Sequence, residues 1–179
     1  MSDYSPRLNA NGISGNRLWY SDNPFYNAGW GLPNCTCYAW GRFWEIGGGT
    51  SDHRPTLSLG NAEDWYNFND GYDRGNSPAL GAVICFRDGP YSGNGHVAVV
   101  EQINDDGSII TSNSAWDGAY FYTQRLEPPN YLPATGYIFQ GFIYNPYAGD
   151  HPIPPGPGGN NFPIWMAKRL IDKKKKGIF

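Results

Sequence analysis

One pattern recurs between residues 82 and 144 and constrains the fold more than any other feature of this sequence. Short segments rich in β-branched and aromatic residues alternate with clusters of Gly, Pro, Asn and Asp, as in strands joined by turns. The segments are AVICFR (82–87), HVAVVEQI (96–103), SIITSN (108–113), AYFYTQR (119–125) and GYIFQGFIY (136–144). We therefore expect a twisted antiparallel sheet of about five or six strands.

The first half of the chain contains one clear helical pattern, which starts at Asn34. Asparagine is a favourable N-cap, and the run of glycines at 47–49 should end the helix. Apolar residues follow at spacings of four, four and three, at Cys35, Ala39, Phe43 and Ile46. A second short helix is expected near Asn61. Helices followed by an antiparallel sheet define the α+β fold class, with the N-terminal helices packed on the sheet.

Composition excludes several classes of protein. No run of 18 apolar residues is present, so we expect no transmembrane helix and no membrane partner. The first 16 residues lack an apolar stretch after a basic start, which predicts no secretory signal. The three cysteines include no CxxC pair, which argues against a disulfide framework and against a structural zinc site.

Charge and turn residues divide the chain into four predicted regions. An irregular lead-in covers residues 1–30, a single domain 31–150, a Pro/Gly linker 151–163 and a basic amphipathic tail 164–179. Residues 1–163 carry a net charge of −8 and the last sixteen residues +5. An acidic body beside one short lysine run is a poor footprint for nucleic acid, so we expect no nucleic-acid partner.

Cys35 is the candidate nucleophile. Directly after the N-cap it would feel the positive end of the helix dipole, and backbone N–H groups there can stabilise a thiolate. Cys37 lies about 200° further round the helix and should point elsewhere. Cys85 is most simply a small buried apolar residue.

A cysteine nucleophile needs a base, and His96 is the best placed of the three histidines. It opens a predicted strand, so its ring should lie at the edge of the sheet. His53 and His151 lie in polar, turn-rich segments and are expected at the surface. The alternative from spacing alone is an inert buried thiol and a hydrogen-bonded structural histidine.

Strand parity selects a third residue. Side chains alternate along a strand, so Glu101 should face away from His96. If NDDG (104–107) forms a two- or four-residue turn, Asn113 lies on the same face as His96. Asn113 could then accept a hydrogen bond from the imidazole, as in Cys-His-Asn sites of the papain type. A three-residue turn would reverse this parity.

The sequence resembles the CHAP family, the cysteine, histidine-dependent amidohydrolases/peptidases, in four motifs over residues 31–145. The motifs, in chain order, are NCTCYAWGR (34–42), GNAEDW (60–65), SPALGAVICF (77–86) and GHVAVVEQINDDGSIITSNSAW (95–116). The resemblance implies a papain-like fold with Cys35 as nucleophile, His96 as base and Asn113 as the third polar residue. The further polar position of many members falls on Ser114 or Ala115 here.

The resemblance also implies a substrate, a source and a place of action. CHAP enzymes cleave bacterial peptidoglycan, either at the amide joining muramic acid to L-Ala or within the stem peptide or cross-bridge. No cofactor is expected. Some members bind calcium through an acidic loop before the cysteine, but Asp22 is the only acid in the corresponding segment, so a calcium site is doubtful. Without a secretory signal we expect a phage endolysin or virion-associated lysin, held in the host cytoplasm or virion until it acts on the wall.

Two questions stay open from the sequence. One alternative is a non-catalytic phage structural or wall-binding protein that keeps the CHAP fold. The other question concerns the basic tail, which could be a solvated end or could attach to wall polymers or a virion partner.

Overall fold

The computed structural model describes residues 4–89 and 94–149. Two α-helices and six strands form in these ranges, with 3₁₀ turns at Ser51–His53 and Ala62–Asn67. The helices are α1 (Pro24–Asn27) and α2 (Cys35–Ile46). The strands are β1 (Arg74–Gly75), β2 (Val83–Asp88), β3 (His96–Ile103), β4 (Ile109–Asn113), β5 (Tyr122–Leu126) and β6 (Tyr137–Ile143).

The strands form one antiparallel sheet in the order β1-β6-β2-β3-β4-β5. The five predicted strands are confirmed, and with helices before the sheet the α+β class is confirmed too. Sequence analysis missed the two-residue strand β1 and the single-turn helix α1. The helix expected near Asn61 is a 3₁₀ helix, and its Trp65 is fully buried.

Helix α2 begins and ends where the sequence predicts. The side chain of Asn34 accepts hydrogen bonds from the N–H groups of Thr36 and Cys37 at 2.8 and 3.3 Å, which satisfies two of the free donors of the first turn. Gly47 caps the other end, and Gly48 and Gly49 continue with φ of 79° and 65°. Such left-handed conformations cost glycine little, and they turn the chain away from the helix axis.

Each face of the sheet carries a hydrophobic core. One core lies between the sheet and α2, where Trp40 and Phe43 pack with Val97 and Val99 of β3. The other lies on the opposite face, where Phe86 and Val100 pack with Leu126. Because both faces of β3 are covered, the first six residues of this strand are all buried.

The hairpin between β3 and β4 differs from the prediction in the length of its turn and in a shift of the strand pairing. The N–H of Asn104 donates to the backbone oxygen of Ser108 at 2.8 Å, and three residues lie between them. A turn of this odd length would by itself put Asn113 on the sheet face opposite to His96. The pairs are Ile103–Ile109 and Gln102–Ile110, then Val100–Thr111 and Val99–Ser112. Glu101 is the extra residue at this shift, and a bulge of one residue reverses parity again. If the register continues by one more pair beyond Val99–Ser112, Asn113 lies opposite Ala98 and on the same sheet face as His96.

The remaining domain predictions stay predictions. The linker 151–163 and the tail 164–179 lie outside the described residues. The described part of the lead-in, residues 4–30, contributes Ile13 and Trp19 to the same core as α2. In the described ranges we find no helix with the length and apolarity needed to cross a membrane.

Candidate active site

Cys35 is the first residue of α2 and is half-buried. Burial raises the pKa of its thiol above the usual range, and the backbone N–H groups of Val97, Thr36 and Cys35 itself oppose this shift only in part. The expected stabilisation of a thiolate at the helix start is therefore outweighed by desolvation. The direction of this pKa shift favours the thiol over the thiolate.

His96 is held by Asn113. The Nε2 atom of the ring lies 3.0 Å from Oδ1 of Asn113. An amide oxygen only accepts hydrogen bonds, so Nε2 carries a proton and Nδ1 of the neutral ring is the basic nitrogen. His96 is buried at the beginning of β3, which is a central strand. The prediction of a sheet-edge position was therefore wrong, because the ring lies at the end of an inner strand.

The orientation of the Asn113 amide is fixed by a chain of hydrogen bonds. Its Nδ2 atom donates to Oγ1 of Thr111 at 3.0 Å, and this hydroxyl donates to the backbone oxygen of Gln124 at 3.2 Å. Thr111 and Asn113 are both fully buried or nearly so. Because these hydrogen bonds fix Nδ2 towards Thr111, Oδ1 is the amide atom that faces the imidazole. Sequence analysis missed Thr111, although its position two residues before Asn113 on the same strand was a usable signal.

Cys35 and His96 line one cleft of about 640 Å³. Its other walls include Trp116, Tyr122 and Tyr137. Burial lowers the pKa of His96 below the usual range, while the hydrogen bond that the ring donates to Asn113 and the negative charge of Asp88 act in the opposite direction. Both candidate catalytic groups thus favour their neutral forms in the resting protein.

Two further polar groups position the candidate residues. The hydroxyl of Ser114 accepts a hydrogen bond from the backbone N–H of Asn34 at 3.0 Å, which ties the N-cap of α2 to the strand end that carries Asn113. The carboxylate of Asp88 accepts the N–H of Gly95 at 2.8 Å and so fixes the residue before His96. Sequence analysis did not assign Asp88, and it named Ser114 only as one of two residues, with Ala115, at the further polar position of the family.

The residues set aside by the sequence analysis lie apart from this group. Glu101 contacts Arg42 of α2, on the sheet face opposite to the ring contact of His96 with Phe86. Cys37 and Cys85 are fully buried in the core beside α2. His53 bonds the backbone oxygen of Gly47 and stacks on Tyr147, and His151 lies outside the described residues.

The described residues offer no group of three or more His, Cys, Asp or Glu side chains that could hold a metal ion. Asp22, the acid considered for a calcium loop, forms an ion pair with Arg17 at 2.5 Å. Its carboxylate is therefore engaged by a cation already present in the protein. The structure thus places Cys35 and His96 at one cleft, with the His96 ring hydrogen-bonded to Asn113.

Comparison with known proteins identifies the family. The CHAP domain model matches residues 23–115, just over half of the sequence, and the chain belongs to the CHAP domain family. This stretch contains Cys35, His96 and Asn113.

Several staphylococcal proteins are similar to the chain. It is 32% identical over 130 residues to a probable autolysin, SsaALP, of Staphylococcus aureus, covering 71% of this chain and 44% of that protein. It is 38% identical over 92 residues to the N-acetylmuramoyl-L-alanine amidase sle1 of Staphylococcus epidermidis, covering 50% of this chain and 25% of that protein. A crystal structure of N-acetylmuramoyl-L-alanine amidase from Staphylococcus aureus matches with 29% identity and a TM-score of 0.43, over 53% of this chain and 27% of that one. The chain thus spans less than half the length of these relatives.

Proposed function

We propose that this protein is a peptidoglycan hydrolase that cleaves an amide bond with Cys35 as nucleophile, His96 as general acid–base and Asn113 as the residue that orients the imidazole. The observation that carries the proposal is the 3.0 Å contact between Nε2 of His96 and Oδ1 of Asn113, in a ring that lines the same cleft as Cys35. Because this contact occupies Nε2, Nδ1 is free to take the thiol proton.

The reaction proceeds in two halves. Sγ of Cys35 attacks the scissile carbonyl carbon while its proton moves to Nδ1 of His96. The tetrahedral intermediate collapses as the C–N bond breaks, and the imidazolium returns the proton to the leaving amine. Water then adds to the thioester with the same histidine as base, the C–S bond breaks, and the released product is a carboxylic acid. Burial favours the neutral thiol and the neutral imidazole, which supports proton transfer that accompanies the attack.

The start of α2 offers a donor for the oxyanion. The side chain of Asn34 engages the N–H groups of Thr36 and Cys37. The N–H of Cys35 itself lies in the first turn of α2, where backbone N–H groups have no acceptor within the helix. This N–H is positioned to stabilise the negative oxygen of a carbonyl attacked by the adjacent sulfur.

The names of the relatives bear on the bond and the source. One relative is named as an N-acetylmuramoyl-L-alanine amidase and another as a probable autolysin, both from staphylococci. They favour the amide between muramic acid and L-Ala over bonds within the stem peptide or cross-bridge. They also favour a bacterial autolysin over the phage lysin that the sequence analysis expected, with the cell wall as the place of action. A wall-binding role for the basic tail stays a proposal.

The test is wall lysis by matched cysteine variants. Cys35→Ala should abolish clearing of a purified cell-wall suspension with an unchanged circular dichroism spectrum, whereas Cys37→Ala should clear at close to the wild-type rate. Mass spectrometry of the released fragments should find new N-terminal Ala, and N-terminal Gly instead would indicate cross-bridge cleavage. An active Cys35→Ala variant would contradict the mechanism, and an inactive wild type would favour the non-catalytic alternative.

A further inference from the structure

Two exposed tryptophans pack against each other beside the cleft, and one of them, Trp116, lines it. The indole rings of Trp30 and Trp116 have centroids 5.5 Å apart and an interplanar angle of 52°. Their side chains are 56% and 59% exposed. The other four tryptophans of the described ranges are buried, at Trp19, Trp40, Trp44 and Trp65. A contiguous exposed aromatic surface of this kind marks a binding site more often than chance exposure.

The pair is attached directly to the candidate catalytic residues. Trp30 precedes Cys35 by five residues, and Trp116 follows Asn113 by three and lines the cleft itself. The hydrogen bond from the N–H of Asn34 to Ser114 joins the two segments. A ligand on the indoles would therefore be held at a fixed position relative to the reacting sulfur.

The chemistry of the surroundings indicates the class of ligand. Among the described residues that line the cleft there is no Asp, Glu, Lys or Arg, and the nearby carboxylate of Asp88 is bonded to the N–H of Gly95, so the cleft wall offers no charged side chain to a stem peptide. The polar groups are neutral, the hydroxyls of Tyr122 and Tyr137 and the amide of Gln124. A pyranose ring suits such a surface, because its C–H face packs on an aromatic ring while its hydroxyl and acetamido groups form hydrogen bonds at the edge.

We propose that Trp30 and Trp116 form a saccharide platform that binds the glycan strand of peptidoglycan beside the scissile amide. The proposal rests on the proposed hydrolase function for the identity of the polymer. The platform would hold the uncharged sugars and present the first amide of the stem to Cys35.

Binding and hydrolysis are measured separately, so that the two proposals can fail independently. For binding, the full chain carrying Cys35→Ala is titrated with glycan strands from which the stem peptides have been removed, and in parallel with free stem peptide. Trp30→Ala and Trp116→Ala should each weaken glycan binding by about three- to tenfold, and Trp116→Tyr should retain most of it. The matched control is Leu59→Ala, which removes a 63% exposed apolar side chain that does not line the cleft.

Three other results would decide between the saccharide platform, the hydrolase proposal and contact between two copies of the chain. Unchanged glycan binding in both alanine variants, or loss of stem-peptide binding only, would overturn the platform while leaving the hydrolase proposal intact. A dimer in sedimentation that the double variant converts to monomer would overturn it in favour of contact between two copies of the chain. Tryptophan-dependent glycan binding by a wild type that does not lyse walls would support the platform and refute the hydrolase.

Discussion

The carboxylate of Glu101 and the guanidinium of Arg42 form a doubly hydrogen-bonded ion pair, with Nε–Oε1 and Nη2–Oε2 distances of 2.9 Å each. Both side chains are buried, between β3 and α2. Glu101 also accepts hydrogen bonds from the hydroxyls of Tyr4 and Ser112 at 2.6 Å and from the N–H of Arg7 at 2.8 Å. One carboxylate thus joins the N-terminal segment, helix α2 and two strands.

Glu101→Gln is therefore expected to be an unstable protein with an intact site. Removing the charge leaves Glu45, 2.7 Å away, as the counter-ion of the buried Arg42, and the loss of the Glu101 pair costs at most about 3 kcal/mol in the free energy of unfolding. Urea denaturation measures this loss, and Glu127→Gln, at an exposed glutamate, is the control. At matched folded fraction the lysis rate of Glu101→Gln should stay within about threefold of the wild-type rate, because a group on the opposite face exchanges no proton with His96. A stable but inactive variant would contradict this assignment.

The same residue shows where sequence reasoning succeeds and where it stops. Alternation along β3 correctly placed Glu101 and His96 on opposite faces, and capping preferences correctly placed Cys35 at the first position of α2. The turn after β3 was wrong by one residue, and the bulge at Glu101 compensated for this error. The bulged residue contacts Arg42 and Tyr4, which are distant in the sequence, and no periodic pattern marks its position.

The supporting contacts of the site were predictable to different degrees. Thr111 follows from the same alternation that selects Asn113. The bond between Asn34 and Ser114 joins residues eighty positions apart and needs the folded chain. Helix geometry suggested a thiolate at Cys35, but the sequence does not show how much water the fold removes from that sulfur. That desolvation reverses the direction of the pKa shift.

Alkylation should distinguish the three cysteines. Cys35 is half-buried at a cleft and Cys37 and Cys85 are fully buried, so iodoacetamide should modify the native protein once and the unfolded protein three times. Because burial raises the pKa of Cys35, the native reaction should be slow at neutral pH and accelerate as the pH rises. Peptide mapping identifies the modified residue. Labelling of Cys37 in the native protein, or fast labelling at neutral pH, would contradict the described environment.

Metal removal should leave activity unchanged. In the described residues no cluster with suitable ligands was found, and the carboxylate of Asp22 is paired with Arg17. We therefore expect dialysis against EDTA to change neither the lysis rate nor the midpoint of thermal unfolding. Both quantities should be measured before and after addition of calcium. Activity that is lost in EDTA and restored by calcium would show that the chain holds a metal after all.

Ser114→Ala should separate positioning from proton transfer. The substitution removes the acceptor of the Asn34 N–H and costs about 1 kcal/mol in stability. A small displacement of the helix start relative to Asn113 should lower kcat/KM by about tenfold. Ser108→Ala, a buried serine whose hydroxyl bonds Asp106 in the hairpin turn, is the control for loss of a buried hydroxyl. Equal rates for both variants would show that the bond to Asn34 does not position Cys35.

The pH dependence of hydrolysis should follow His96. The ring must be neutral to accept the thiol proton, and burial lowers its pKa, so the neutral base persists below the ordinary value of about 6.5. The acidic limb of the kcat/KM profile should therefore lie below that value. The hydrogen bond that the ring donates to Asn113 acts to raise the pKa of His96, so Asn113→Ala should move the limb to still lower pH while reducing the rate by about 10- to 100-fold. Ser114→Ala should reduce the rate without moving the limb. An acidic limb that Asn113→Ala leaves unmoved, or moves to higher pH, would show that Asn113 does not govern the imidazole.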